Sequence, residues 1–190
     1  MNIILASASI RRQELIQRVV KDFKVIVSNF NESEVAYDGF CEDYVMDISK
    51  GKALDVSEKI NVESLVIGCD TVVTLDGAVL GKPKDREDAF NMIKKLSGRK
   101  HEVYSGITIV NTRTKEVLSD FSCTVVEFSK LNSDEILRYI DSGEPFDKAG
   151  AYGIQGYAGV FVKEIHGCYY NVVGLPLNKL KEMLKQMGVN

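Results

Sequence analysis

The chain has 190 residues, 45% hydrophobic and 27% charged, which suits a globular protein with a real core rather than a disordered or disulfide-framed one. Its formal net charge of −3 argues against a broad DNA- or RNA-binding face, because polyanion binding needs a basic surface to displace counterions. Any phosphate contact must therefore be local. Four cysteines without a Cys-x-x-Cys pair and only two histidines give no zinc framework. With no apolar run of about 18 residues and no signal-like start, a cytoplasmic protein without a membrane partner is expected.

Asn2 to Ala6 reads as a short apolar strand, and Ser9 sits where an N-cap belongs, ahead of Leu15, Ile16, Val19 and Phe23 at helical spacing. Lys24 to Ser28 reads as a second strand, and the polar stretch 29–39 that contains Glu32 as a loop. Glu42 to Glu58 has helical periodicity, with Val45, Ile48 and then Lys52 along one face and Gly51 as a local weakness. Ser64 to Gly68 reads as a strand. Val72–Leu75 and Ala78–Leu80 flank Asp76-Gly77, a strong two-residue hairpin signal, which leaves Asp70 between two strand runs.

Pro83 and Asp85 announce a helix carrying Ala89, Met92, Ile93 and Leu96, closed by Gly98. Val103–Val110 and Val117–Phe128 read as long strands, and Ser133 as the cap of a helix through Ile140 that stops at Gly143. Beyond lie a glycine-punctuated segment, a strand through Val160, Val162 and Ile165, and a helix from Leu177 to Met187. The predicted fold is α/β, a mixed twisted sheet flanked by helices and curved or bilobed around a substrate cleft, in a single domain spanning residues 1–190.

Neither a P-loop nor a dinucleotide fingerprint is present: three residues separate Gly77 from Gly81, Pro83 follows Lys82, and no two glycines stand one residue apart in that pattern. Ser9-Ile10-Arg11-Arg12, at a helix start, offers backbone N–H groups and forked guanidinium donors to an anion. The same four residues also fit a plain N-cap followed by two solvated arginines. Asp70 alone could be a turn former. Counting outward from the hairpin, however, sets Thr71 opposite Lys82 and brings Asp70 near Lys82, provided the strand bends or ends around Gly68–Thr71, since alternation otherwise sends Asp70 and Thr71 to opposite faces. Lys52, Lys82 and Glu32 are individually ordinary surface charges. Together with Asp70 they could hold a nucleoside triphosphate and a divalent ion, with Gln155 for neutral recognition.

These residues resemble the Maf family of nucleoside triphosphate pyrophosphatases, once named for septum formation inhibition. The resemblance spans nearly the whole chain. It rests on Leu5-Ala6-Ser7 with Ser9-x-Arg11-Arg12, Gly68-Cys69-Asp70-Thr71-Val72-Val73, Gly81-Lys82-Pro83, the block Asp147-Lys148-Ala149-Gly150-Ala151-Tyr152-Gly153-Ile154-Gln155-Gly156, and Val173-Gly174-Leu175-Pro176. It implies a Maf/ITPase-like fold with a cleft, a divalent cation (Mg or Mn), Asp70 as proton acceptor, and Arg11, Thr71 and Gln155 as specificity positions. The block around Gln155 is similar to the branch acting on dTTP and UTP. Ile10 departs from the family's usual proline, a difference worth well under about 1 kcal/mol of preorganisation. Glu32 matches the family's loop carboxylate, with Glu34 the alternative.

The expected reaction is attack of water on the α-phosphorus of dTTP, UTP or a modified pyrimidine nucleotide, with pyrophosphate leaving, as house-cleaning of the nucleotide pool. Asp70 takes the proton or holds the metal with Glu32, and Arg12, Lys52 and Lys82 clamp the phosphates. Two other readings use the same residues: an enzyme of the 7-methyl-GTP branch, or a non-catalytic nucleotide sensor that regulates cell division. The expected partner is the nucleotide, with no nucleic-acid polymer, and a homodimer is an allowed assembly.

Overall fold

The computed structural model describes residues 1–189. Seven strands form one open mixed sheet: β1 (Asn2–Leu5), β2 (Lys24–Val25), β3 (Ser64–Leu75), β4 (Ala78–Leu80), β5 (Lys100–Asn111), β6 (Val117–Phe128) and β7 (Val162–His166), in the order β2-β1-β3-β5-β6-β7 with β4 paired to β3. β1 runs parallel to β2 and β3, while β3/β4 and β6/β7 are antiparallel. The predicted mixed sheet with flanking helices is the fold observed. The chain divides into two compact units, Met1–Thr71 with Ser105–Ser122 and the segment from Gly174 onward, and Val72–Tyr104 with Cys123–Val173. No helix among the described residues is long and apolar enough to cross a membrane.

In the first unit, β1 buries Ile3, Ile4 and Leu5 beside β3. Helix α1 (Ile10–Ile16) starts where Ser9 accepts the Arg12 N–H at 3.4 Å. It is shorter than the periodicity through Val19 and Phe23 predicted, because Val19 and Val20 are β-branched and the chain turns there, Arg18 and Val19 donating to the Leu15 and Ile16 carbonyls. β2 is likewise two residues rather than five. Past Val25 the chain is drawn away by Asp55, whose Oδ2 accepts from Ser28 Oγ at 2.9 Å and from the Asn29 N–H at 2.8 Å.

Helix α2 (Cys41–Ser57) buries Val45, Ile48, Ala53 and Val56. It lies directly on strand backbone: a Cβ at Gly68 of β3 would stand 2.1 Å from the Ser49 carbonyl oxygen, and one at Gly106 of β5 2.2 Å from the Val45 carbonyl oxygen. Gly51, which the sequence marks only as a weak helix position, is where the Phe30 ring seats, 2.3 Å from where its Cβ would be. The α6 helix (Leu177–Gln186) adds Leu180, Met183 and Leu184 to the buried set.

The second unit contains the hairpin, with Leu75↔Ala78, Thr74↔Val79 and Val73↔Leu80 in the predicted register and Asp76 and Gly77 both at positive φ. Helix α3 (Arg86–Leu96) is capped by Asp85 as predicted. Helix α4 (Ser133–Asp141) is capped by Asn132 rather than Ser133, in a reciprocal box with Glu135. These helices bury Ala89, Ile93, Leu96, Ile136 and Ile140 against an aromatic cluster of Phe128, Tyr139, Tyr152 and Phe161. His101 joins that cluster, 1% exposed, its Nε2 2.8 Å from the Tyr152 hydroxyl and its ring edge-on to Phe128. Its Nδ1 has no hydrogen-bond partner among the described residues, and burial pushes the imidazole down from 6.5 to about 4. Val160 falls in a 3₁₀ turn ahead of β7, and a short helix α5 (Tyr169–Val173) follows that strand.

Candidate active site

The strand that carries Asp70 does not break. β3 runs from Ser64 to Leu75 through Asp70, so the expected bend or end at Gly68–Thr71 is absent. A lone carboxylate interrupts an apolar run because an unpaired buried charge is costly; here a cation from α2 pairs with it. Gly68 faces α2, and two residues on Asp70 faces the same way, meeting Lys52 one helical turn beyond Ser49. Lys52 Nζ stands 2.7 Å from Asp70 Oδ1 and 2.8 Å from Glu32 Oε1. The Lys52 and Asp70 side chains are 12% and 11% exposed and Glu32 is 56% exposed, so the pair is largely withdrawn from water while its third member is wet. Glu32 is held in a 3₁₀ turn, Glu32–Glu34, that Asn31 caps, and Glu34 bonds to Asn31 instead of Lys52.

Two carboxylate oxygens converging on one ammonium provide the donor chemistry that a hard divalent ion takes, with phosphate oxygens and water completing its shell. The residues present therefore fit such an ion as a two-carboxylate seat. Among the described residues no group of three or more His, Cys, Asp and Glu side chains could hold a metal by protein donors alone. Tyr44 faces the same cluster: burial first, then the charges of Asp70 and Glu32, raise its phenol above its ordinary value. No sequence motif marked Tyr44.

Thr71 takes the opposite face of β3 and enters a separate network. Arg12 donates from Nε to the Gly174 carbonyl at 2.9 Å, from Nη1 to the Cys69 carbonyl at 2.9 Å, and from Nη2 to Thr71 Oγ1 at 3.0 Å. Thr71 Oγ1 is also 2.8 Å from Ser105 Oγ and 3.3 Å from the Gly174 carbonyl. Gly174 holds its carbonyl in place with φ +125°, a conformation glycine adopts without strain. Arg12, expected as a phosphate clamp, is in this structure a brace tying α1 to β3 and to the chain before α6. Its planar fork suits that task better than a lysine would. Ser9 supports the brace through its cap, and Arg11, beside it, is half-buried. Ser105 is a contributor that no motif marks, since its partner Thr71 lies 34 residues away along the chain, whereas Gly174 stands in the quoted Val173-Gly174-Leu175-Pro176 motif.

Lys82 and Gln155 belong to the second unit, and both are exposed. The hairpin ladder ends at Val73↔Leu80, so the outward count to Thr71 and Lys82 has no pairing beneath it. Gly81 turns out of the strand, its carbonyl accepting the Gly150 N–H at 3.0 Å. Gln155 lies in a glycine turn in which the Gly156 N–H donates to the Gly153 carbonyl at 3.1 Å.

A family model described as Maf-like protein matches residues 2–187. Curated relatives include a dTTP/UTP pyrophosphatase of Clostridium botulinum (strain 657 / Type Ba4), 59% identical over 100% of this chain and 98% of its own. Others are a dTTP/UTP pyrophosphatase of Clostridium beijerinckii, 58% identical over 98% of this chain and 100% of its own, and one of Clostridium tetani, 56% identical over 100% of both. Among solved structures, a HAM1 protein from Coxiella burnetii aligns with a TM-score of 0.50 at 14% identity, covering 98% of this chain and 99% of that one, a likeness of fold.

Proposed function

Because the chain belongs to the Maf-like protein family, we propose that it is a nucleoside triphosphate pyrophosphatase, hydrolysing dTTP and UTP to the monophosphate and pyrophosphate and so clearing the nucleotide pool. The observation that carries this reading is the Glu32–Lys52–Asp70 cluster, two carboxylates facing one cation, with Lys52 and Asp70 largely buried. The whole-chain relatives that bear the name dTTP/UTP pyrophosphatase support the substrate class.

In this mechanism Asp70 accepts the proton of the attacking water, and Lys52, 2.7 Å from its Oδ1, holds the carboxylate in a fixed rotamer. A divalent ion seated by Asp70 and Glu32 would polarise phosphate oxygens and acidify the water. As charge moves onto pyrophosphate, Lys52 stabilises it. Arg12 acts through Thr71: by holding that hydroxyl it fixes one specificity position, while Arg11 and Gln155 provide the others. The Gln155 amide carries both a donor and an acceptor, which matches the N–H and C=O edge of uracil or thymine. The enzyme is proposed to act in the cytoplasm on free nucleotides.

Pyrophosphate release measured across dTTP, UTP, CTP and 7-methyl-GTP, with Mg²⁺ and with Mn²⁺, tests the reading. Turnover of dTTP and UTP well above the other two is expected. Turnover of 7-methyl-GTP alone, or binding of dTTP without turnover, would overturn it.

A further inference from the structure

The turn bearing Gln155 rests on the segment Glu144–Asp147 and the Lys148 that follows it, and its two glycines let the Glu144 and Lys148 side chains lie close against its backbone. A Cβ on Gly156 would stand 2.2 Å from Glu144 Oε1, and one on Gly153 2.7 Å from Lys148 Cε. Gly156 has φ −96°, open to any residue, so the close approach of Glu144 is what calls for glycine. The carboxylate beneath is held by the Tyr157 N–H, which donates to Glu144 Oε2 at 2.8 Å; the Tyr139 hydroxyl lies 3.4 Å from Oε1, with the Ala151 carbonyl its nearer acceptor at 3.1 Å. Tyr139 is fully buried and stacks on Tyr157 with centroids 6.2 Å apart and planes 18° apart. Lys148 Nζ in turn donates to the Glu144 carbonyl at 2.6 Å.

An amide reads a base edge only if its oxygen and nitrogen arrive in a fixed order. The amide turns about its own side-chain bond, so the order it presents is held only when the backbone sets it squarely against the base edge; a turn free to move loosens that approach and weakens the distinction between uracil and cytosine. Here an ionised acceptor, which makes stronger and shorter hydrogen bonds than a neutral one, ties down the N–H two residues after Gln155. We propose that Glu144 is a positioning residue for base selection: it locks the 153–157 turn and thereby sets the direction in which Gln155 meets the pyrimidine. The proposal rests on the assignment of Gln155 to base recognition.

The test uses the full chain, with pyrophosphate release from UTP, dTTP and CTP and hydrogen exchange of the Tyr157 amide measured on the same samples. Glu144→Ala should speed Tyr157 exchange, raise KM for UTP and dTTP, and cut the UTP-to-CTP ratio of kcat/KM about tenfold, the worth of one charge-assisted hydrogen bond. Its kcat at saturating UTP should change far less. Glu144→Gln keeps an acceptor for the Tyr157 N–H and should retain most of the ratio. Gly156→Ala, which drives a methyl into the carboxylate, should reproduce the Glu144→Ala profile, and the double variant should be no worse than Glu144→Ala. Fast Tyr157 exchange with an unchanged UTP-to-CTP ratio overturns the proposal. If Glu144→Ala does not fold, an unchanged ratio in Gly156→Ala does the same. Gln155→Ala separates the two levels: if it leaves the ratio unchanged, the reading of Gln155 falls and this proposal with it. If Gln155→Ala collapses the ratio while Glu144→Ala does not, the positioning role alone falls.

Discussion

The first unit is built around charge and the second around aromatic rings. In the first, Lys52 stands between two carboxylates, and Arg12 spends its donors on two carbonyls and a hydroxyl. In the second, His101 is held neutral among Phe128 and Tyr152, and the exposed Gln155 rides a glycine turn over that core. Charge stabilises a reaction in which negative charge moves, whereas a turn pinned between packed rings and Glu144 suits the reading of an uncharged base. On the proposed reading the step that moves charge falls to the first unit through Asp70 and Lys52, while the second unit adds Gln155 to a selection in which Arg11 and Thr71 of the first also take part.

The strongest test of that division is Asp70→Asn. Losing a positioned base lowers kcat by about 10² to 10⁴, equivalent to roughly 3 to 5 kcal/mol, while dTTP binding and the UTP-to-CTP preference persist; a changed preference in single-turnover assays breaks the comparison. Next comes acid stability, which belongs to the second unit. The unfolded imidazole of His101 binds its proton near 6.5 and the folded one near 4, so between these values the unfolded state holds more protons. Its contribution is complete above pH 6.5 and declines as pH falls to about 4, by about 3 kcal/mol in total. Urea unfolding of His101→Gln, which keeps a partner for Tyr152, should lack that decline.

Arg12→Lys should destabilise the protein by about 2 kcal/mol, since one ammonium cannot span all the carbonyls and hydroxyls the fork reaches. Normal urea stability with a raised KM would return Arg12 to a direct role on phosphate. The smallest effect is expected for Gln155→Glu, which removes the amide donor that meets a base carbonyl. It should raise KM for UTP about tenfold, or roughly 1.4 kcal/mol, with kcat nearly unchanged. A fall in kcat as large as that of Asp70→Asn would merge the two functions the comparison separates.

Local signals were legible where local physics decides. The Ser9 and Asp85 caps and the Asp76-Gly77 hairpin are fixed by residues within a few positions of one another, and they stand as the sequence implies. The continuity of β3 was not legible, because whether Asp70 can sit inside a buried strand depends on Lys52 arriving from α2. Arg12 is a similar case: beside the local Ser7 hydroxyl, the carbonyls it reaches lie 57 and 162 residues away, and nothing near Arg12 reports that they exist. β2 ends sooner than its sequence suggests because Asp55, far along the chain, draws the backbone away, and Ser105, Tyr44 and Glu144 carry no motif at all.

Gly68 and Gly106 press α2 onto two neighbouring strands with no clearance for a methyl group. The separation of the backbones that carry Lys52 and Asp70 is thereby set by close contact at these glycines. Anyone seeking to retune this protein has chemistry available as a variable but not distance. Exchanging Glu32, Lys52 or Asp70 alters the charge pattern on an unchanged frame, whereas any side chain at Gly68 or Gly106 levers the helix away and dismantles the pair before its strength can be adjusted.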